Sequence, residues 1–230
     1  MILTPVKETR LEYKFITKDR YYYKLKHWIK MHPLGFNKAY PSRQINNIYF
    51  DTYDLKSYKD NLSGISSRVK IRYRWYGESI SPAPGTLEIK CKRNLHGWKF
   101  KHPIKKLSPS SEDTWREIKT QISSQLSAGW RIHFNARPQQ VLINRYFRDY
   151  FISQDGKTML NLDTQQMVLN QRNKLLPNYK IKASLPCIVI IEAKVDRENQ
   201  ELIPTTLKNL PLVWSRHSKY VEGVNAIRAS

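Results

Sequence analysis

From Arg68 to Trp75 the chain alternates without a fault. Arg68, Lys70, Arg72 and Arg74 fall on one parity, and Val69, Ile71, Tyr73 and Trp75 fall on the other. Successive side chains of a β-strand point to opposite faces of its sheet, so this run predicts a strand with one cationic and one apolar face. The split recurs. Glu8, Arg10, Glu12 and Lys14 oppose Leu11, Tyr13 and Phe15; Glu88, Lys90 and Lys92 oppose Leu87, Ile89 and Cys91; Glu192 and Lys194 oppose Val189, Ile191, Ala193 and Val195. At 140–152 one face holds Asn144, Tyr146, Arg148 and Tyr150, and the other mixes Val141, Ile143, Phe147 and Phe151 with Arg145 and Asp149.

A solvated face explains any one such strand. Several together need a cover for their apolar sides. The helical spacing of Leu25, Trp28 and Ile29 within 17–31, and of Trp115, Ile118, Ile122 and Leu126 within 111–128, supplies it, with Ser110 or Ser111 as cap and Gly129 as stop. A third helix is expected at 218–228, and strands near 7–16, 45–51, 67–76, 85–93, 98–104, 140–152, 158–164 and 187–195. The charged faces then either form an open basic sheet or close around a polar lumen. Two like charges roughly 6 Å apart at an effective dielectric near 20 repel by about 3 kcal/mol, so a cationic lumen needs neutralisation. Inward Glu12, Glu88 and Glu192 provide part of it, or hold a metal, and a bound polyanion provides the rest. An open nucleic-acid-binding sheet has no use for such carboxylates, and no nucleic-acid partner is expected. The expected fold is therefore α+β, mainly β: a closed antiparallel eight-stranded β-barrel tunnel with helices packed outside, in a single domain over 1–230.

Charge agrees with this picture. Forty Lys and Arg against 19 Asp and Glu give +21, a field that attracts polyanions. Cys91 and Cys187 stand in no CxxC or Cys/His cluster, which reads as two reduced core thiols of a cytoplasmic protein. No apolar run reaches the roughly 18 residues of a membrane span, and residues 1–16 do not read as a signal peptide. His96, His102, His133 and His217 lack ligand spacing and read as surface or structural residues. Asp51 and Asp54 read as helix caps, and Tyr73 and Trp75 as core.

The spaced runs Arg10-x-Glu12-x-Lys14, Tyr49-Phe50-Asp51-Thr52 with Tyr58 and Leu62, Lys70 to Gly77, Leu87-Glu88-Ile89-Lys90, Tyr146-x-Arg148, Leu162-Asp163-Thr164, Ile191-Glu192-Ala193-Lys194 and Ser218-Lys219-Tyr220 resemble the VTC (vacuolar transporter chaperone) type polyphosphate polymerase domain of the CYTH-like triphosphate tunnel metalloenzymes. The resemblance spans Arg10 to Gly223. It implies a tunnel that binds a nucleoside triphosphate through Arg and Lys with Mn²⁺ or Mg²⁺, transfers the ATP γ-phosphate to inorganic polyphosphate and releases ADP. By motif position it assigns Lys14, Arg72, Arg74, Lys90, Arg148, Lys194, Arg216 and Lys219 to phosphate, with Arg72, Arg74, Lys90 and Lys219 on the ATP. It assigns Glu192 to the metal, with Glu12 as helper or as a salt-bridge partner. Met159 stands where the family has an Arg, and Lys157 shares its parity. Two alternatives stay open: a tunnel triphosphatase acting on inorganic, nucleoside or RNA 5′-triphosphate, against which Arg10 in place of a first Glu argues, and a non-catalytic polyanion-binding module.

Overall fold

Each predicted alternating run lies in a strand over its described residues, with Glu8 outside them. In the computed structural model, which describes residues 6–7, 10–93, 96–210, 212–215 and 217–229, the order is β1 (Val6–Lys7), β2 (Arg10–Lys18), α1 (Tyr22–Lys30), β3 (Asn37–Asp51), α2 (Lys56–Leu62), β4 (Ser67–Tyr76), β5 (Gly85–Arg93), β6 (His96–Ile104), α3 (Trp115–Ser124), α4 (Ala128–Asn135), β7 (Gln139–Ile152), β8 (Thr158–Asn170), β9 (Lys182–Ala183), β10 (Ile188–Asp196), α5 (Ile203–Thr206) and α6 (Lys219–Ala229). All described ladders are antiparallel, and the strands form one ten-stranded sheet in the order β1-β6-β5-β4-β3-β7-β8-β10-β2, with β9 added at β8.

The expectation of a closed eight-stranded barrel is corrected here. The sheet is open between β1 and β2, and among the described residues no ladder joins them. The reason lies in the N-terminal run, read from sequence as one strand at 7–16. It divides into β1, which pairs with β6 at one edge, and β2, which pairs with β10 at the other. Two successive pieces of one run head the two edges. Alternation reports which face a side chain takes, and it carries no information on closure. The sheet nevertheless curls far enough for Lys90 of β5 to approach Glu12 of β2 within 3.9 Å.

Two apolar cores lie on the outer face, as the parities require, and a third, around Tyr49 and Leu142, lies on the same face as Arg72. Ile71, Tyr73, Trp75, Leu87 and Ile89 pack with Trp115, Ile118 and Ile122 of α3 and with Trp130 and Phe134 of α4. Phe15, Leu160, Leu162, Val189 and Ile191 pack under Leu25 and Ile29 of α1. Tyr49, Val141, Leu142 and Val168 meet Tyr220, Val221 and Val224 of α6. Gly223 permits that last approach, because a Cβ there would stand 2.7 Å from Leu142 Cδ2.

Local signals account for the helix boundaries. The cap of α3 is Thr114 rather than Ser110 or Ser111. Its side chain accepts from Glu117 N while the Glu117 carboxylate accepts from Thr114 N, a capping box. The expected long helix ends near Ser124, and Gly129 lies inside a second helix, α4. Asp51 caps α2, accepting from Ser57 N and Tyr58 N as well as from the Tyr220 hydroxyl. Tyr73 and Trp75 are fully buried, as expected, whereas Cys187 is exposed rather than core.

Candidate functional site

Inside the curl lies a cavity of about 520 Å³. Among the described residues, ten Lys and Arg side chains line it against three Glu. β2 supplies Glu12 and Lys14; β4 supplies Lys70, Arg72 and Arg74; β5 supplies Glu88 and Lys90; β6 supplies Lys99 and Lys101. Tyr146 and Arg148 come from β7, Glu192 and Lys194 from β10, and Lys219 from the first turn of α6, with His217 and Ser218 just before it. The structure thus gathers Lys14, Arg72, Arg74, Lys90, Arg148, Lys194, Lys219, Glu12 and Glu192 around one space. Arg216 lies outside the described residues. Lys157 does not reach the cavity: it is exposed in the β7–β8 turn, where Asp155 accepts from its backbone N. Met159, opposite Lys194 in the ladder, is not part of the lining either.

One wall is a connected ionic network. Arg148 donates through Nε and Nη2 to Asp163 at 2.5 Å and 2.6 Å, and through Nη2 to Glu192 at 3.0 Å. Lys219 reaches Asp163 at 2.5 Å and Glu192 at 3.6 Å. Lys194 and Lys14 stand 3.4 Å and 3.7 Å from Glu192. Burial by itself would raise the Glu192 carboxyl, but Arg148, Lys219, Lys194 and Lys14 outweigh it and hold it well below the usual range. Asp163 is held low in the same way, its burial overcome by Arg148 and Lys219. Lys219 also lies 4.6 Å from the centre of the Tyr146 ring, a cation–π contact.

The facing wall has fewer carboxylates. Arg72 pairs with Glu88 at 2.6 Å, and Lys99 lies 3.9 Å from the same group. Arg74 donates to Asn47 Oδ1 at 2.9 Å and to the Tyr146 hydroxyl at 3.2 Å, both neutral acceptors. The Lys70 amine donates to Ser218 Oγ at 2.9 Å, and among the described residues it meets no carboxylate. Burial first, then Lys14, Lys90, Arg68 and Arg72, push Lys70 down to about 7. Lys99 is pushed down to about 8, by burial above all, with Arg72 and Arg74 adding to it against Glu88. Such a wall suits an anion that accepts from Lys and forked Arg donors.

The sequence profile of the VTC domain matches residues 9–228. The chain belongs to the VTC domain family. Its fold is similar to that of a putative adenylyl cyclase from Hippeastrum described as having a dominant triphosphatase activity, at 15% identity over 94% of this chain and 96% of that one, with a TM-score of 0.54. PH1819 from Pyrococcus horikoshii aligns over 93% of this chain and 96% of that one, at 14% identity and a TM-score of 0.47. A putative adenylate cyclase from Vibrio parahaemolyticus does so over 94% and 98%, at 14% and 0.48. No curated protein sequence matches the chain.

For a metal, the donors on offer are Glu12 and Glu192, diagonal neighbours on β2 and β10. The Lys14 ammonium already sits between them, 3.5 Å from Glu12 and 3.7 Å from Glu192. The pair therefore gathers positive charge with carboxylate oxygen, the donor chemistry of a hard cation. Among the described residues no group of three or more acidic, His or Cys side chains forms a complete protein cage. Mg²⁺ and Mn²⁺ commonly use one or two carboxylates and complete their shells with water and substrate phosphate. The residues present fit a cation that arrives with phosphate.

Several lining residues were not singled out from the sequence. Lys99 and Lys101 share a parity against Trp98 and Phe100 in a predicted strand, so the same alternation was there to read. Lys70 was placed on the charged face without a role. His217, read as surface or structural, lines the cavity; burial and the nearby Lys219 and Lys14 push it down to about 4, so it is neutral at ordinary pH.

Proposed function

We propose that this VTC domain is a polyphosphate polymerase, which transfers the γ-phosphate of ATP to the terminal phosphate of a growing inorganic polyphosphate chain and releases ADP. The imbalance of the cavity carries this reading: among the described residues, ten cations line it against three carboxylates. Family membership supplies the class, a polyphosphate or triphosphate tunnel enzyme.

Phosphoryl transfer asks little covalent chemistry of a protein and depends on positioning and on stabilising charge at the phosphate oxygens. Arg72 and Arg74, two apart on β4, fork onto adjacent phosphates, with Arg72 braced by Glu88. Lys14, Lys90, Lys194 and Lys219 act as point charges. Arg148, fixed by Asp163 and Glu192, offers a rigid donor edge. Glu192 and Glu12 would hold Mg²⁺ or Mn²⁺, whose contribution when bound is neutralisation of phosphate charge. The acceptor phosphate is already ionised at neutral pH, so its oxygen attacks the γ-phosphorus without a base as the bond to ADP breaks.

One observation favours a second reading, hydrolysis of a triphosphate: the Hippeastrum protein of similar fold is described as having a dominant triphosphatase activity. A single incubation separates the two. With ATP and Mn²⁺ the purified protein yields ADP and a long polymer that a polyphosphatase destroys. Stoichiometric free phosphate without polymer rejects the polymerase, and tight, salt-sensitive binding without turnover rejects both.

A further inference from the structure

The charged parity continues past the cavity. Tyr76 is the next residue on the same face of β4 after Arg74, and Tyr150 the next on β7 after Arg148. Arg43 of β3 pairs with Arg148 across the ladder, and Tyr40 pairs with Tyr150. These four side chains converge. The Arg43 guanidinium carbon lies 5.2 Å from the ring centres of both Tyr76 and Tyr150, and 5.7 Å from that of Tyr40. Tyr40 and Tyr150 meet edge to face at 5.7 Å. Arg148 in turn lies 5.9 Å from Tyr150 and 5.3 Å from Tyr146. Cations and rings therefore alternate from Tyr146 through Arg148 and Tyr150 to Arg43.

Arg43 and Arg148 differ in what neutralises them. Arg148 is bound by Asp163 and Glu192. Arg43 meets rings alone: among the described residues no carboxylate stands within ion-pair distance of it, and no acceptor takes its N–H groups. Aromatic rings attract a guanidinium through its charge and do not accept its N–H groups as an oxygen would. Tyr40 and Tyr76 are 52% and 48% exposed, so the cluster opens to solvent. The opposite part of the cavity is covered by α6, through Lys70 on Ser218 and the Tyr49–Tyr220 stack at 5.0 Å. On the β3–β7 side, past Arg148, the lining gives way to Arg43.

We propose that Arg43, clamped by Tyr40, Tyr76 and Tyr150, is a phosphate-binding site outside the cavity that holds the part of a polyphosphate chain extending beyond it. This rests on the reading of the cavity as a polyphosphate site. Three rings surround the guanidinium and no acceptor among the described residues takes its N–H groups, so the chemistry on offer is recognition of phosphate oxygen rather than stacking of a nucleobase.

The test compares binding of tripolyphosphate, ATP and a long-chain polyphosphate by titration calorimetry. Arg43→Gln is expected to weaken the long chain roughly tenfold or more, the effect of losing a charged hydrogen bond, and to leave tripolyphosphate and ATP within about twofold. Arg131→Gln, an exposed change on α4, gives the background for losing one surface charge on so basic a protein. Arg43→Lys, which keeps the charge and loses the fork, is expected to fall between. The proposal is overturned if Arg43→Gln matches Arg131→Gln, if tripolyphosphate weakens as much as the long chain, or if ATP alone weakens, which would make the clamp a nucleobase site. Failure of the underlying reading looks different: the unmodified protein would not bind tripolyphosphate, and both would fall.

Discussion

On the wall built by β7, β8, β10 and the start of α6, each cation of the network reaches a carboxylate: Arg148 and Lys219 reach Asp163, and both, with Lys194, reach Glu192. On the wall built by β4, β5 and β6, Glu88 faces Arg72 and Lys99, while Arg74 and Lys70 make do with an amide, a phenol and a hydroxyl. The side chains are of the same kinds and come from the same alternating strands. The first wall is complete before any ligand arrives and holds its shape. The second stays electrostatically unfinished, and it is where the proposed polyanion would bind.

The largest effect that could break this contrast belongs to Asp163. It is fully buried beneath Arg148 and Lys219. Asp163→Ala leaves two buried cations short of a partner and is expected to cost roughly 3–5 kcal/mol in denaturant unfolding. A loss below about 1 kcal/mol would mean that the wall does not hold the fold. The pH dependence has a definite sign. Asp163 and Glu192 both have folded values below their ordinary ones, because Arg148 and Lys219 outweigh burial. Their contribution is present in full above the ordinary carboxylate range near pH 4 and is lost as pH falls through the depressed folded values. Acid unfolding of the unmodified protein is therefore expected below about pH 4, and Asp163→Ala should show a shallower dependence there.

A smaller effect sharpens the other side. Arg74 forms no ion pair with a carboxylate among the described residues, and the Glu88 carboxyl that it helps to hold low keeps Arg72 as its close partner, so Arg74→Ala should leave stability within about 1 kcal/mol of the parent. Its affinity for tripolyphosphate should fall roughly tenfold to a hundredfold, the range for a charged hydrogen bond. Calorimetry and a melting curve on one preparation decide it. A destabilised variant with unchanged affinity would place Arg74 with the structural wall instead.

Much of this was legible in the chain because alternation is a local property. Four cations two residues apart on β4 needed no partner to reveal their face, and the apolar parity foretold the outer helices α1 and α3. Arg145 and Asp149, which spoiled the pattern on β7, have outer-face partners: Arg145 bonds Glu78, and Asp149 accepts from the Tyr22 and Ser42 hydroxyls. Those pairings join residues distant in sequence, as do Arg148 with Glu192 and Lys70 with Ser218, and no periodicity announces them. Closure failed for a related reason, since the edge partners of β1 and β2 are set by the whole curl of the sheet. Helix α2 was too short to show a periodic face, and its cap on Asp51 was the visible trace of it.

Lys70 gives the smallest effect and the one most specific to the unfinished wall. Burial, then Lys14, Lys90, Arg68 and Arg72, push its amine down to about 7. Without ligand, the unfolded chain binds more protons at this lysine than the folded one between about pH 7 and the ordinary lysine value, so its contribution makes stability rise with pH across that window. A polyanion reverses the balance, since phosphate oxygens favour the charged amine and the folded value rises. Binding of tripolyphosphate near pH 7.5 should then take up part of a proton, read as a dependence of the calorimetric enthalpy on the ionisation enthalpy of the buffer. The uptake should shrink near pH 6, where Lys70 is already charged, and should diminish in Lys70→Met. The same uptake in Lys70→Met would assign the proton elsewhere in the cavity, with Lys99, pushed down to about 8, as the next group to remove.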